Sequence, residues 1–374
     1  MGEIESEIAK MKIVLTIGDL SIRGGAERVV VNFAETLYEN GHRVEILSFY
    51  RSNETLPYAI SPQIKVSFMH KKSQDSMRKK PLYKLYYKIY ESYLLNKMYP
   101  NADVIIFNNS PHFPFFKNPK TCYIKFVHSA FKRFLKRFNS FDALVVLSGR
   151  QIEIWKKYHQ NVVVIPNFIK AFLDQTSDLN QKRVLCVGRI TPNDEKGFLR
   201  LVDIWEIVQQ NSKNKEWKLC IIAGVESPKE EPFKEKLERK IIQKNLQNSV
   251  ILKPFSNEIY KEYLQASFYA MTSYAEGLPM VLVEASSCGL PCIAFDINTG
   301  PSDIIENRVS GFLVQDGDLQ GYARAMQKLM ENEELRHKMG SKAKEIVEEK
   351  FSKRKVLEQW EELFKVLKNK NRIA

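Results

Sequence analysis

Lys12-Ile13-Val14-Leu15-Thr16-Ile17 is an apolar, β-branched run that ends near Gly18, and a loop holding Gly24-Gly25 follows it. Residues 26–38 come next, apolar at 29, 30, 33, 34 and 37, and stop at Asn40-Gly41. The spacing predicts a strand, a glycine-bearing turn and a helix, closed by a pair suited to left-handed backbone. Working outward, further strands are expected at 43–49, 104–107, 122–127, 143–147 and 162–165. Strands apolar throughout their length, alternating with helices, predict a parallel sheet covered on both faces.

At Arg183 the opening repeats. A strand at 184–187, a loop at 188–195 and an amphipathic helix at 197–210 are expected. Strands at 218–223, 250–253, 269–272 and 291–295 then alternate with helices at 232–243, 257–266 and 279–288. This is a second doubly wound domain, beginning after the Pro166-Asn167 turn and the polar linker around 174–182. Residues 319–368 lack strand signals and read as helical. Two such domains are expected to face a cleft at their strand carboxyl ends, where open α/β sheets bind ligands.

At 374 residues and 44% apolar content the chain has material for two cores and is not a disordered composition. Apolar runs break well short of 18 residues, so no membrane-spanning helix is expected. The amino-terminal MGEIESEIAK is acidic without an apolar core and does not read as a secretory leader. Five cysteines, at 122, 186, 220, 288 and 292, sit mostly in strand-like runs without a C-x-x-C, as buried reduced thiols of a cytosolic protein would. Between residues 65 and 137 there are 16 basic and 3 acidic side chains, an excess equal to the whole chain's net charge of +13. That concentration aims a field at something anionic: lipid headgroups, a diphosphate-bearing molecule or nucleic acid.

The chain has no G-x-G-x-x-G, no G-x4-G-K-[ST] and no H-E-x-x-H. Met1-Gly2-x-x-x-Ser6 is too short a match to read as a myristoylation signal. Asp316-Gly317-Asp318 reads as a turn capping the next helix rather than as a metal pair. Two clusters remain. Arg189 ends a strand, and Glu195-Lys196-Gly197 opens the following helix, so a guanidinium and an ammonium flank a helix amino end that suits an anion. The second is Glu276-Gly277-Leu278-Pro279-Met280-Val281-Leu282-Val283-Glu284. Pro279 fits a first helical position, and Gly277 allows close approach to backbone N–H groups. Glu284, about one turn inside an apolar helix, needs a partner hydroxyl or cation.

Gly24-Gly25-Ala26-Glu27, Val187-Gly188-Arg189 with Lys196-Gly197, Glu276 and Glu284 as E-x7-E, and Gly311-Phe312-Leu313-Val314 together resemble the retaining family 4 glycosyltransferases, over nearly the whole chain from Met11 to about Phe351. The resemblance implies the GT-B architecture: an acceptor-binding Rossmann-like domain at 1–168, a nucleotide-sugar-binding one at 169–351, and a carboxyl-terminal helix, 352–374, crossing back to the first. It implies that Arg189 and Lys196 hold the diphosphate and that Glu284 binds the ribose. Glu276, with the N–H groups along the Gly277-Leu278-Pro279-Met280 stretch, would address the transferred sugar. Gly24 and Gly25 would let the first turn approach the ligand, and His128 matches a donor-contacting histidine. His42, His70, His112, His159 and His337 have no such context and read as surface or structural.

The expected reaction moves a hexose or N-acetylhexosamine from a UDP-sugar to a lipid-linked or lipopolysaccharide-type saccharide. With two cations and a helix end to stabilise the leaving group, no metal and no cofactor are required. Residues 78–99, with an apolar stripe at 82, 85, 86, 89 and 93, and residues 131–138 interleave aromatics with Lys and Arg, as suits an anionic membrane surface. A cytoplasmic enzyme resting on the inner membrane face is therefore expected, with no nucleic acid as partner. The alternatives are a basic nucleic-acid-binding protein, a DNA-modifying glucosyltransferase, or a sugar-nucleotide-binding protein without catalysis.

Overall fold

The computed structural model describes residues 10–80, 83–170, 172, 174–225, 228–256 and 258–373, and the side chains of these except 84, 85 and 371–373. The Met1-Gly2-x-x-x-Ser6 string and the expected stripe positions 82 and 85 lie outside what is described. The chain divides into two compact units. In its described residues, the first comprises Met1–Leu147, Gln151–Pro166 and Val356–Ala374, and the second Ser148–Arg150 and Asn167–Lys355.

The first unit runs β1 (Lys12–Asp19), α1 (Gly25–Glu39), β2 (Arg43–Tyr50), β3 (Lys65–Phe68), α2 (Gln74–Arg78), α3 (Lys88–Met98), β4 (Val104–Asn108), β5 (Cys122–Val127), β6 (Ala143–Val146), α4 (Ile152–Lys156) and β7 (Val162–Val164). Its seven strands are all parallel, in the order β3-β2-β1-β4-β5-β6-β7. The order reverses between β1 and β4, where Ile13 pairs with Val104. Loops leaving β1 and β4 at their carboxyl ends therefore splay apart and leave a crevice. β3 was not foreseen: Lys-Val-Ser-Phe is short and half-exposed, an edge strand with little apolar signal.

The second unit repeats the plan. It runs β8 (Arg183–Arg189), α5 (Phe198–Gln209), β9 (Lys218–Gly224), α6 (Glu231–Gln243), β10 (Val250–Lys253), α7 (Ile259–Leu264), β11 (Phe268–Met271), α8 (Met280–Ser287), β12 (Cys292–Asp296), α9 (Pro301–Ile304), β13 (Gly311–Gln315), α10 (Leu319–Glu331) and α11 (Glu333–Phe351). The parallel order β10-β9-β8-β11-β12-β13 reverses between β8 and β11. Trp205 of α5 and Tyr322 of α10 are fully buried on one face of this sheet. The Tyr322 hydroxyl donates to the carbonyls of Met271 and Ile293, and so ties α10 to two strands. Asp318 caps α10 by accepting from the Gly321 N–H at 2.7 Å, the turn reading of Asp316-Gly317-Asp318.

The last helix, α12 (Lys353–Ile373), packs on the first unit from Val356 onward. Trp360 is buried against Phe33 of α1 and Phe126 of β5, with ring centroids 4.8 and 5.1 Å apart. Glu361 meets His42 at 2.6 Å, and Lys368 meets Asp103 at 2.9 Å. All five cysteines are free and buried.

Candidate active site

In the second unit the loops on either side of the sheet reversal carry the candidate residues. β8 ends on Gly188 and exposed Arg189; β11 leads through residues 272–279 into α8. Lys196 reaches across this gap, its ammonium 2.7 Å from Glu276 Oε1. The carboxylate is 12% exposed and the ammonium 29%, so the pair lies at a partly dry surface. Gly197, which follows Lys196, has φ +69°, and a Cβ there would collide with the carbonyl oxygen of Thr272. The left-handed, side-chain-free residue thus brings the Lys196 loop against the strand that launches the Glu276 loop.

One expectation is corrected here. The amino end of α5 does not wait for an anion: Asp194 Oδ1 and Oδ2 accept from the N–H groups of Phe198 and Leu199 at 2.8 and 3.1 Å. The protein's own carboxylate fills that end. The amino end of α8 differs, because its capping residue, Pro279, has no side-chain acceptor to offer. There Gly277, Leu278 and Met280 carry N–H groups, whereas Pro279 has none and contributes only its ring. The ring explains Thr299-Gly300-Pro301. Gly300 sits at φ +100°, and a Cβ on it would come within 2.5 Å of Pro279 Cδ. The Thr299 hydroxyl donates to the carbonyl of Glu276 at 2.5 Å.

Glu284 is 7% exposed, and the Tyr263 hydroxyl donates to its Oε2 at 3.1 Å. Burial, followed by the charge of Glu284, pushes the Tyr263 phenol well above its ordinary range, so it remains a donor at all working pH values. Behind the Glu276 loop stands Arg200, a residue sequence reading passed over as part of an amphipathic helix. Its guanidinium donates to the carbonyls of Thr272 and Ser273, both at 2.6 Å, and to Asp316 at 2.7 Å. The rings of Tyr274 and Phe295 lie 3.7 and 4.2 Å from it. Arg200 is buried and acts on the site by holding the backbone that carries Glu276.

The first unit holds the other expected residues. Gly24 is the extended residue before α1, and the buried carboxylate of Glu27 in the first turn lies where a Cβ on Gly24 would stand. The Tyr58 hydroxyl donates to the Gly24 carbonyl at 2.9 Å and accepts from its N–H at 3.2 Å, which fixes the turn. A Cβ built on Gly25 meets nothing within 4 Å, so this turn is open on that side. His128 follows β5, with Nε2 3.0 Å from Asn108 Oδ1 and its ring over Phe126. Burial, reinforced by the charge of Lys125, holds its pKa down at about 3, so the imidazole is neutral at pH 7. The structure brings Arg189, Lys196, Glu276 and Glu284 to one end of the second sheet, and Gly24, Gly25 and His128 to the carboxyl end of the first.

The basic-aromatic segments part company. In residues 131–138, Phe131, Phe134 and Phe138 pack on Trp155, while Lys132, Arg133, Lys136 and Arg137 are exposed. Around α3 the aromatics do face out: Tyr86, Ile89, Tyr90 and Tyr93 are exposed, while Tyr83 and Leu95 enter the core. His70 and His112 flank buried Glu91 at 2.8 and 2.9 Å beneath this helix.

Comparison with known proteins gives this arrangement a family. The pattern described as "Glycosyl transferases group 1" matches residues 168–346, and that described as "Glycosyltransferase Family 4" matches residues 23–171. The chain is a family 4 glycosyltransferase of the GT-B fold. An uncharacterised glycosyltransferase of Haemophilus influenzae is 25% identical over 93% of this chain and 98% of its own length. A poly(ribitol-phosphate) α-N-acetylglucosaminyltransferase of Staphylococcus aureus is 29% identical over 62% of this chain, which spans 46% of that protein. The crystal structure of a mutant S. aureus TarM with fondaparinux, α-GlcNAc-glycerol and UDP superposes with a TM-score of 0.78 at 18% identity, covering 95% of this chain and 99% of that one. The reading as a non-enzymatic binder of nucleic acid or sugar nucleotide is set aside. No helix of the described residues is long and apolar enough to cross a membrane.

Proposed function

We propose that the enzyme transfers a hexose or N-acetylhexosamine from a UDP-sugar, with retention and without a metal ion, to a saccharide acceptor presented at an anionic membrane surface. The observation that carries the reading is the Lys196–Glu276 pair beside the amino end of α8, whose capping residue Pro279 offers no side-chain acceptor. Cleaving a sugar–diphosphate bond builds negative charge on the leaving group and positive charge on the anomeric carbon. Lys196 and Arg189 would meet the first, together with the helix end. Glu276 would bind hydroxyls of the sugar, and Glu284, held by Tyr263, would accept from the ribose.

The membrane part of the proposal rests on α3. Tyr86, Tyr87, Ile89, Tyr90, Tyr93 and Phe116 line an apolar hollow of about 460 Å³. Arg51, Lys71, Lys72, Lys79 and Lys80 line a basic one of about 610 Å³ in the same unit. Exposed aromatics in one unit with cations fit the interface of an anionic bilayer.

Incubation with labelled UDP-glucose, UDP-galactose and UDP-N-acetylglucosamine, with and without chelator, tests the transfer, and NMR of the product gives its anomeric form. Turnover abolished by chelator and restored by added ions refutes the metal-free reading; an inverted product refutes retention. Flotation with phosphatidylglycerol vesicles tests docking. Undiminished flotation after Tyr86, Tyr90 and Tyr93 are replaced by Ser refutes the role of α3.

A further inference from the structure

Lys125 is the anomaly of the first sheet. It lies inside Cys-Tyr-Ile-Lys-Phe-Val, a strand whose every residue is buried, and it is itself only 7% exposed. Its neighbours on the same face of β5, Tyr123 and Val127, belong to the unit's apolar core. Burying an ammonium costs several kcal/mol unless an opposite charge pairs with it. Among the described residues no carboxylate does so; the ammonium's hydrogen bond goes to the carbonyl of Ser110 at 2.8 Å. Burial alone holds its pKa down at about 7. A residue kept only for folding would be better as Met or Leu. Nothing in the packing of β5 explains a cation there.

The cavity beside Lys125 does. About 410 Å³ in volume, it is lined by Arg78, Lys125, His128, Lys132 and Arg133, with the Trp155 ring among its apolar walls, and no acidic side chain of the described residues lines it. That volume holds a small phosphorylated polyol or sugar. Four cations of different reach converge on it, and the deepest has been stripped of water in advance. A dry, unpaired ammonium gains far more from an anion than a solvated one does. Planar guanidiniums at the rim add bidentate contacts to phosphate oxygens.

We propose that this cavity is the acceptor subsite and that it selects acceptors carrying a phosphate group, with Lys125 as the buried cation that recognises it. The proposal rests on the reading as a UDP-sugar transferase and names the acceptor's chemical class. It draws on the excess of positive charge between 65 and 137, because Arg78, Lys125, Lys132 and Arg133, four of the 16 basic residues there, come from that window.

Isothermal titration calorimetry on the full chain, at fixed ionic strength and with UDP saturating so that the nucleotide site is filled, tests it. The probes are glycerol 3-phosphate, inorganic phosphate, glucuronate and glycerol. Glycerol 3-phosphate and phosphate are expected to bind, glycerol not to, and glucuronate at least tenfold more weakly. Lys125→Met is expected to cut the affinity for glycerol 3-phosphate at least tenfold while its melting temperature stays at or above that of the parent. Unchanged affinity in Lys125→Met, or glucuronate binding as tightly as phosphate, overturns the proposal. If Lys125→Met fails to fold, the exposed pair Lys132→Met with Arg133→Met decides: unchanged affinity there overturns it as well. Vesicles of phosphatidylglycerol separate the lipid source from the soluble one. Flotation lost in Lys125→Met, with no binding of glycerol 3-phosphate to the parent, assigns the cavity to a lipid headgroup and overturns the acceptor reading. Failure of the parent to bind UDP at all refutes instead the UDP-sugar reading, and is distinguishable because it does not involve the first unit's cavity.

Discussion

Replacing Arg200 with Met tests whether the Glu276 loop is held from behind. The guanidinium donates to two carbonyls, of Thr272 and Ser273, each at 2.6 Å, and both residues are buried. Hydrogen bonds from a charged group are worth about 1.5–3 kcal/mol each. Contact with the faces of Tyr274 and Phe295 adds about 1 kcal/mol. The bond to Asp316 adds little, because that carboxylate is 46% exposed. Methionine recovers roughly 1–2 kcal/mol of apolar contact, leaving a net loss of about 3–5 kcal/mol. At about 2–4 °C per kcal/mol for a domain of this size, calorimetry should show a fall of roughly 10–15 °C in the melting temperature of the second unit. Well below that temperature, kcat should fall at least tenfold while UDP affinity changes little, since Arg200 touches the loop and not the nucleotide. Arg200→Lys, which keeps the charge and loses the fork, should lie between. A fall under about 3 °C with unchanged kcat would show that the loop holds its shape without Arg200.

Three further outcomes are expected. Lys196→Met should lower kcat/KM by about 10²–10³, the usual effect of removing one preorganised group that stabilises leaving charge, measured with a saturating acceptor; a loss below fivefold contradicts its role. Tyr263→Phe removes the hydroxyl bound to Glu284 at 3.1 Å and should cost about 1–2 kcal/mol in urea unfolding and raise KM for the UDP-sugar; an unchanged KM separates Glu284 from the ribose. The pKa values of Lys125 and His128, about 7 and 3, lie below their ordinary 10.5 and 6.5. Across these windows the unfolded chain holds the proton that the folded one has lost, so stability rises with pH from about 3 to 6.5 through His128 and from about 7 to 10.5 through Lys125. The second rise amounts to roughly 5 kcal/mol at most. Urea titrations at pH 6.5 and 9.5 should show it in the parent and not in Lys125→Met; a parent with equal stability at both pH values refutes it.

Most strands and covering helices of both units were legible in the chain, because a buried parallel sheet demands uninterrupted apolar runs and a covering helix demands a 3.6-residue stripe. β13 and the short α4 and α9 were not. The edge strand at Lys65–Phe68 was not legible either, since it buries too little apolar surface to leave a pattern. Within the candidate site, Arg189, Lys196, Glu276 and Glu284 were legible through their spacing around glycine and proline. What the amino-acid order determined alone was thus the architecture and the family. Only the tertiary structure decided which groups are already satisfied and which are not. It is Asp194, four residues before Phe198, that closes the amino end of α5, and Arg200 that clasps carbonyls more than 70 positions away. It is burial in β5 that turns one of 57 basic residues into a dry, unpaired cation. Hydrogen-bond satisfaction and desolvation are sums over neighbours in space, and a sequence pattern records only neighbours along the chain.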